Sequence, residues 1–356
     1  MLDRAPVFGT LKSRMAGDIF PNVSFIVPTL NAAAVLPACL RSVRNQEYPP
    51  EKIEIIVADG GSADNTRTIA ESFDARVLNN PERVAESGKR LALQSAIGEY
   101  IVFADADNEL SSRDFVRLAV DALAKNPQAL GVESYYPAAP GMNSFCAYLT
   151  ETLHISDPVT WMMCVNPVLL ARENDVERWT FPKDSYAFPL GANGFIFRRA
   201  DLLSIKATEH FEDTHAALQL ALNGQCEWLR LAGRGVHHYV VSGLKDFLKK
   251  RRRQTYHFLS LQKKTGLSWS RMNPKMSAGV SCILCGTVIL PLAQTISNFC
   301  RTRDARWFWH PIAGFVSVLG VAWGFLTFAV SKRTADAEAS LQPVQRASKN
   351  ETNNRA

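Results

Sequence analysis

Two carboxylates one residue apart, Asp105 and Asp107, follow directly on the apolar run Tyr100-Ile101-Val102-Phe103-Ala104. So short and so apolar a run reads as a buried strand of a parallel sheet. Ligands of open α/β sheets gather at the carboxyl ends of the strands. Asp105 and Asp107 therefore belong at the lip of the sheet, and residues i and i+2 of an extended segment point to the same side. Two like charges on one side repel unless something positive lies between them. A hard divalent cation that keeps positions free for phosphate oxygens answers that need. Taken alone, the same D-x-D is also an ordinary acidic turn ahead of a helix that begins near Ser111.

Other groups that could do chemistry are scattered along the chain. Asp213, in Phe211-Glu-Asp-Thr214, precedes a helix over Thr214–Leu222. It is placed either as that helix's N-cap or as a carboxylate that takes a proton from a weak nucleophile. Lys89 and Arg90 form either a solvated helix face or a phosphate contact. The segment Leu244–Leu259 is a basic amphipathic helix, with apolar Leu244, Phe247, Leu248, Phe258 and Leu259 around the five cations Lys249 to Arg253. Such a helix suits an anionic membrane surface or nucleic acid. His237 and His238 follow a strand-like stretch, Glu227–Leu231, and adjacent residues of a strand face opposite ways. With no spaced partners they do not make a zinc site. No Ser/His/Asp or Cys/His set is present. The seven cysteines have no framework spacing, which points to a reducing compartment. Cys282-x-x-Cys285 lies inside an apolar run, where both residues serve as small packing groups.

The elements that must position these groups alternate. Strands are expected at Val23–Val27, Ile53–Ala58, Ala75–Asn79 and Tyr100–Phe103, with helices from Asn31 (as N-cap) to Asn45, over Asn65–Phe73 and Val84–Ile97, and over Phe115–Ala124. That order implies a doubly wound, mostly parallel α/β sheet. No G-x-G-x-x-G follows the first strand, so a dinucleotide fingerprint is absent. Val132–Tyr136 is a further strand. Pro137–Pro189 has poor periodicity and is expected to form loops and short helices around an acceptor groove.

Three stretches in order, Phe25-Ile-Val-Pro-Thr-Leu-Asn31, Ile55-Ile-Val-Ala-Asp-Gly-Gly-Ser-Ala-Asp-Asn-Thr66 and Gly98-Glu-Tyr-Ile-Val-Phe-Ala-Asp-Ala-Asp107, resemble the family 2 glycosyltransferases of GT-A fold. The resemblance covers about Val23 to Arg253. It implies a nucleotide-sugar site in which Pro28, Thr29 and Asn31 line the nucleotide pocket and Asp59 contacts the base. It also implies Mg²⁺ or Mn²⁺ on the donor diphosphate, held by Asp105 and Asp107, and a basic residue, Lys89, near the phosphates. Leu190–Arg199 resembles the family's Gly-rich segment beside the donor sugar. Asp213 matches the catalytic base of the family's E-D motif, and Arg252 and Arg253 lie about where an Arg-rich motif contacts the diphosphate. Two departures are visible. Gly60 stands where a second acid is common, and Arg252-Arg253-Gln254 is not the Q-x-x-R-W form of processive synthases, which argues against a processive polymerase. The E-D motif favours a sugar hydroxyl as acceptor, because a phosphate acceptor is already ionised and needs no base.

Composition sets the frame around this domain. The chain has 356 residues, 47% hydrophobic and 21% charged, with a formal charge of +6. The first twenty residues mix charges and hold no apolar core, unlike a secretory signal. Met276–Cys300 and Trp307–Val330 are free of charge, and each is long enough for a bilayer, which takes ~20 apolar residues. Gly320-x-x-x-Gly324 allows close helix approach. Cations before the first run and after the second place both ends inside, although Arg301, Arg303 and Arg306 in the connecting loop blur that assignment.

The expected organisation is an N-terminal extension (1–20) and a GT-A domain over 21–264. That domain divides into a nucleotide-binding half at 21–131, an acceptor half at 132–242 and the basic helix at 243–264. A C-terminal transmembrane helical hairpin (276–330) and a disordered tail (331–356) follow. The expected protein is an inverting transferase at the inner or plasma membrane with its catalytic domain cytoplasmic. It moves a sugar from a nucleotide-sugar, a UDP-sugar by default, to a lipid-linked or growing glycan, with no nucleic-acid partner. A polyprenyl-phosphate sugar synthase is the alternative.

Overall fold

The structure is a computed structural model that describes residues 20–353 except 156, 183–184, 187, 206–210, 212 and 266–273; the side chains of 213, 261, 264, 265 and 332–353 are also left undescribed. The N-terminal extension therefore lies outside the described residues except for Phe20, whose ring packs edge-on against Tyr48 with centres 5.2 Å apart. The chain begins with β1 (Val23–Thr29), α1 (Leu36–Arg44), β2 (Ile53–Asp59), α2 (Thr66–Ser72), β3 (Arg76–Asn79), α3 (Ala85–Ser95) and β4 (Tyr100–Phe103). It continues through β5 (Asn108–Leu110), α4 (Phe115–Lys125) and β6 (Gly131–Tyr135), then α5 (Ser144–Ala147) with a π-turn at Tyr148–Thr152, and α6 (Pro158–Met163). Next come β7 (Val168–Glu173), β8 (Val176–Thr180), β9 (Ile196–Arg198), α7 (Arg199–Ser204), α8 (Asp213–Leu222), β10 (Glu227–His238) and α9 (Leu244–Thr265). The last elements are α10 (Ala278–Gly286), α11 (Ile289–Thr302) and α12 (His310–Asn353).

The strands form one sheet in the order β3-β2-β1-β4-β9-β6-β10-β8-β7, with β5 added alongside β10. β3, β2, β1 and β4 are mutually parallel, β6 and β10 are parallel, and the remaining pairs are antiparallel. Around β1, β2 and β4 both faces are covered, which explains why these three strands are mostly apolar rather than alternating. Val23, Phe25 and Val27 pack with α1 and α4 on one face. Ile26, Ile56 and Phe103 pack with α3 and α8 on the other.

Two parts of the fold differ from expectation. Within 137–189, β7 and β8 form an antiparallel hairpin at the sheet edge, closed at Asn174, which takes a left-handed φ of 53°. α1 begins only at Leu36, with Val35 as N-cap and no side-chain cap, so Asn31 does not start it. Asn31 instead adopts φ 52° and ties two loops together: its Oδ1 accepts from Ala63 N at 2.8 Å, and its N–H donates to Ser62 Oγ at 2.8 Å.

β10 is a long strand because Gly235 lets it run against β6; a Cβ there would collide with the Tyr135 backbone. In mid-sheet, Glu133 and Arg230 form a buried ion pair that Trp228 Nε1 joins at 3.1 Å. Arg230→Ala leaves the Glu133 charge buried without its partner. A loss of about 3–5 kcal/mol in urea unfolding is expected; a change below about 1 kcal/mol would mean that solvent reaches Glu133.

The C-terminal region also departs from a simple hairpin. The first apolar run is two helices, α10 and α11, bent by 83° at a break. Val288 at the break adopts a left-handed φ of 62°. Pro291, which has no N–H to donate, sits in the first turn of α11, where that loss costs nothing. Ala305–Ser331 is long and apolar enough to cross a membrane. The helical backbone of α12 continues past Ser331, through a tail rich in strong helix formers such as Ala, Glu and Lys.

Candidate active site

The carboxyl ends of β2, β1 and β4 form one lip, because Thr29 pairs with Asp59 in register and Ile26 with Phe103. Thr29, Asp59 and Asp105 thus stand side by side. Asp59 is buried and fully engaged by its own loop. It accepts from Thr29 Oγ1 at 3.2 Å, Gly61 N at 3.2 Å and Ser62 N at 3.1 Å, and pairs with Arg67 at 3.3 Å. Burial pushes its carboxyl up, but the hydrogen bonds from Ser62, Arg67 and Thr29 outweigh that and hold it below the usual carboxylate range. Asp59 therefore shapes the Gly60-Gly61 turn. Pro28 sits in β1 opposite Ala58.

Beyond β4, Asn108 organises the acidic loop. Its Oδ1 accepts from Asp105 N at 3.1 Å, and its Nδ2 donates to Asp107 Oδ1 at 3.2 Å and faces His238 Nδ1 at 3.0 Å. Lys89, buried on α3, reaches Asp105 Oδ1 at 3.6 Å. Burial pushes Asp105 up, yet the charges of Lys89, His238 and Lys250 bring it below its ordinary value. Asp107 goes the other way: burial and the neighbouring Asp105 charge raise it, with Lys250 opposing. His238 is driven down to about 4 by burial and then by Lys250, against the pull of Asp105.

The chemistry of this donor set suits a hard divalent cation. Asp105 and Asp107 offer carboxylate oxygens at a half-open lip. No cluster of three or more His, Cys, Asp or Glu that could hold a metal occurs among the described residues. A cation of the Mg²⁺ type, held by one or two carboxylates and completed by substrate phosphates, fits that arrangement; a closed structural site does not.

The Gly-rich segment lies against the same lip. Gly194, at φ 81°, donates to Phe103 O at 2.7 Å, and Asn193 Nδ2 lies 3.4 Å from His238 Nε2. Asp213 heads α8; Glu212 and the Asp213 side chain fall outside the described residues.

The basic helix sends its cations to different places. Arg252 does not approach the acidic loop; its guanidinium lies 4.7 Å from the ring centre of Trp323 on α12. Arg253 is exposed beside a cavity that reaches Thr214. Lys250 is the residue whose charge is felt at Asp105 and Asp107, and its Nζ donates to Val240 O at 3.2 Å. Burial lowers its ammonium from its ordinary value, and the two carboxylates pull it back. The sequence marks the run of five cations but not this member of it. Successive helix residues are about 100° apart, so only docking selects the face. Lys250→Gln should raise the donor Kd roughly tenfold, the value of one charge-assisted contact. Isothermal titration with a nucleotide-sugar and Mn²⁺ would check it, and an unchanged Kd would remove Lys250 from the site.

An α/β sheet of this order, with carboxylates beyond β4 and an antiparallel strand inserted between β4 and β6, is a GT-A-type fold. The mannosyltransferase PcManGT from Pyrobaculum calidifontis, in complex with GDP-Man and Mn²⁺, shares it, with a TM-score of 0.53 over 86% of this chain and 88% of that one at 17% identity. Residues 24–139 match the family model for glycosyl transferase family 2, so that stretch of the chain is similar to the members of that family.

Among curated relatives, the Campylobacter jejuni GalNAc(5)-diNAcBac-PP-undecaprenol beta-1,3-glucosyltransferase is 35% identical over 99 residues, covering 26% of this chain and 31% of that protein. The Bacillus spizizenii poly(ribitol-phosphate) beta-glucosyltransferase is 32% identical over 102 residues, covering 27% of this chain and 16% of that one. The matches thus span a third or less of these relatives.

Proposed function

We propose that the chain is a membrane-associated, metal-dependent, inverting glycosyltransferase that moves a sugar from a nucleotide-sugar to a hydroxyl of a lipid-linked or growing glycan. The observation that carries this reading is the meeting of Asp105, Asp107, Lys89 and Lys250 at the carboxyl end of β4. Pro28, Thr29 and Asn31 border the nucleotide, with Asp59 fixing the turn beside it. Lys89 and Lys250 supply positive charge to the diphosphate region. When bound, the divalent cation neutralises charge on the departing diphosphate. Asp213 accepts the proton of the attacking hydroxyl, and a single in-line displacement inverts the anomeric carbon.

Relatives named for undecaprenol-diphosphate-linked and poly(ribitol-phosphate) acceptors support the acceptor class. The apolar helix Ala305–Ser331 supports a membrane location, with the catalytic domain on the cytoplasmic side where nucleotide-sugars are made. The test is turnover by the detergent-purified chain across UDP-, GDP- and dTDP-sugars, with Mn²⁺ or EDTA, on polyprenyl phosphate and on lipid-linked sugars. Metal-dependent transfer onto a sugar hydroxyl is expected. Transfer to the bare lipid phosphate alone would establish the polyprenyl-phosphate synthase instead.

A further inference from the structure

The small-residue pair on α12 does not face another apolar helix. A Cβ on Gly320 would meet Leu248 O at 3.1 Å and the Arg251 side chain, and one on Gly324 would meet Arg252 O at 2.8 Å and Thr255 at 2.6 Å. Further along, Tyr256 packs on Phe328 with ring centres 5.8 Å apart. The contacts advance together on both helices, so α9 lies along α12 in the same direction, held close by the two glycines. Arg251 is fixed further by Asp157 at 3.0 Å, and Asp157 also accepts from Ser317 of α12. The other end of α12 is fastened to the catalytic domain as well. His310 Nδ1 lies 2.5 Å from Tyr148 Oη, and just before it Arg306 pairs with Glu151 at 2.7 Å.

If α12 crossed a bilayer in this arrangement, Arg251 to Arg253 would stand level with its middle, at Gly320 to Gly324. Charges at that depth are costly and pair off or line water-filled paths. α10 and α11, of 9 and 14 residues with a bend of 83° between them, are each too short to cross ~30 Å of hydrocarbon at 1.5 Å per residue.

What the three helices do present is an apolar stripe each. On α12, Ile312, Phe315, Leu319, Trp323, Leu326 and Val330 recur at three- and four-residue steps, with Leu326 66% exposed. On α11 the stripe is Ile289, Leu292 and Ile296, with Ile289 78% exposed, and on α10 it is Val280 and Ile283. Cations flank these stripes: Arg301 and Arg303 between the runs, and Lys249, Arg252 and Arg253 on α9. A cavity of about 530 Å³ also opens among these helices, between Cys282, Val321 and Phe325 on one side and Thr214 of α8 on the other.

We infer that α10, α11 and α12 lie in the plane of one anionic leaflet, sinking their apolar stripes to the acyl boundary while α9 and the loop cations meet the headgroups, so that the protein is held on one face of the membrane and does not span it. Such a surface combines an apolar face with a basic border, the combination that binds anionic lipid. It also removes the conflict in the loop charges: Arg301 and Arg303 need not sit on the far side of the membrane when every flanking cation shares the same headgroup layer.

The experiment reads topology alone and is independent of the reaction. Arg301→Cys and Lys332→Cys are made singly in the full chain carrying Cys300→Ser, expressed in bacterial membranes, and exposed to a membrane-impermeant maleimide. Both cysteines should label in inverted vesicles, on the side of the catalytic domain, and neither in sealed right-side-out vesicles. Labelling of either position from the opposite side would overturn the inference: Arg301→Cys alone would establish the two-span hairpin, and Lys332→Cys a single span through α12. An impermeant label at Ser62→Cys in the same background fixes the side of the catalytic domain.

Discussion

Asp105→Asn and Asp107→Asn should each lower the transfer rate by about three orders of magnitude and abolish its dependence on Mn²⁺. Stabilising charge on a departing diphosphate is worth several kcal/mol, and each 1.36 kcal/mol is tenfold in rate. The two variants should part company in stability. Asp105 is the carboxylate beside Lys89, whereas Asp107 is raised by burial and by the charge of Asp105. Removing the charge of Asp107 relieves that repulsion, so Asp107→Asn should unfold at or above the wild-type temperature in metal-free buffer while its activity is lost. Metal-dependent protection of the wild type against heat in the presence of a nucleoside diphosphate, absent from both variants, is the companion measurement. An Asp107→Asn enzyme that keeps its rate and its response to Mn²⁺ would leave the acidic loop as a capped turn and nothing more.

The parts of this architecture that the sequence displays are those buried on both faces. β1, β2, β4 and the helices between them lie within a few residues of their expected bounds, since a two-sided core demands continuous apolar strands and a one-sided helix demands a stripe; β3, at the sheet edge and without a buried residue, was marked only by its place in the alternation. The hairpin of β7 and β8 escaped that logic. It sits at the edge, β7 is almost wholly exposed and β8 half-buried, and no burial pattern marks it; the usable signal was Asn174-Asp175 between two runs that can extend.

Around the site, the acidic pair and Lys89 were visible as residue types in a recurring order. Asn108 was not, because a buried amide bridging Asp105, Asp107 and His238 has no spacing rule. His238 was set aside as a zinc ligand, and its position near the acidic loop depends on β10 running the whole way past Gly235. The choice of Lys250 over Arg252 is likewise tertiary. It is made by the packing of α9 on α12, which turns Arg252 onto Trp323.

Asp213→Asn is expected to lower transfer by about 10²- to 10⁴-fold, the usual contribution of a general base, with the donor Kd unchanged. The asparagine is nearly isosteric and caps a helix N-terminus about as well as aspartate. A role confined to starting α8 would therefore leave both rate and unfolding temperature in place. Donor hydrolysis sharpens the distinction, because water and a sugar hydroxyl each need a proton removed, while a phosphate monoester acceptor arrives ionised. If the acceptor is a hydroxyl, transfer and hydrolysis fall together. If it is a polyprenyl phosphate, hydrolysis falls and transfer survives, and the enzyme is a synthase that charges the lipid rather than one that extends its glycan. Measuring both rates in one Asp213→Asn preparation thus decides the role of the residue and the acceptor class at once.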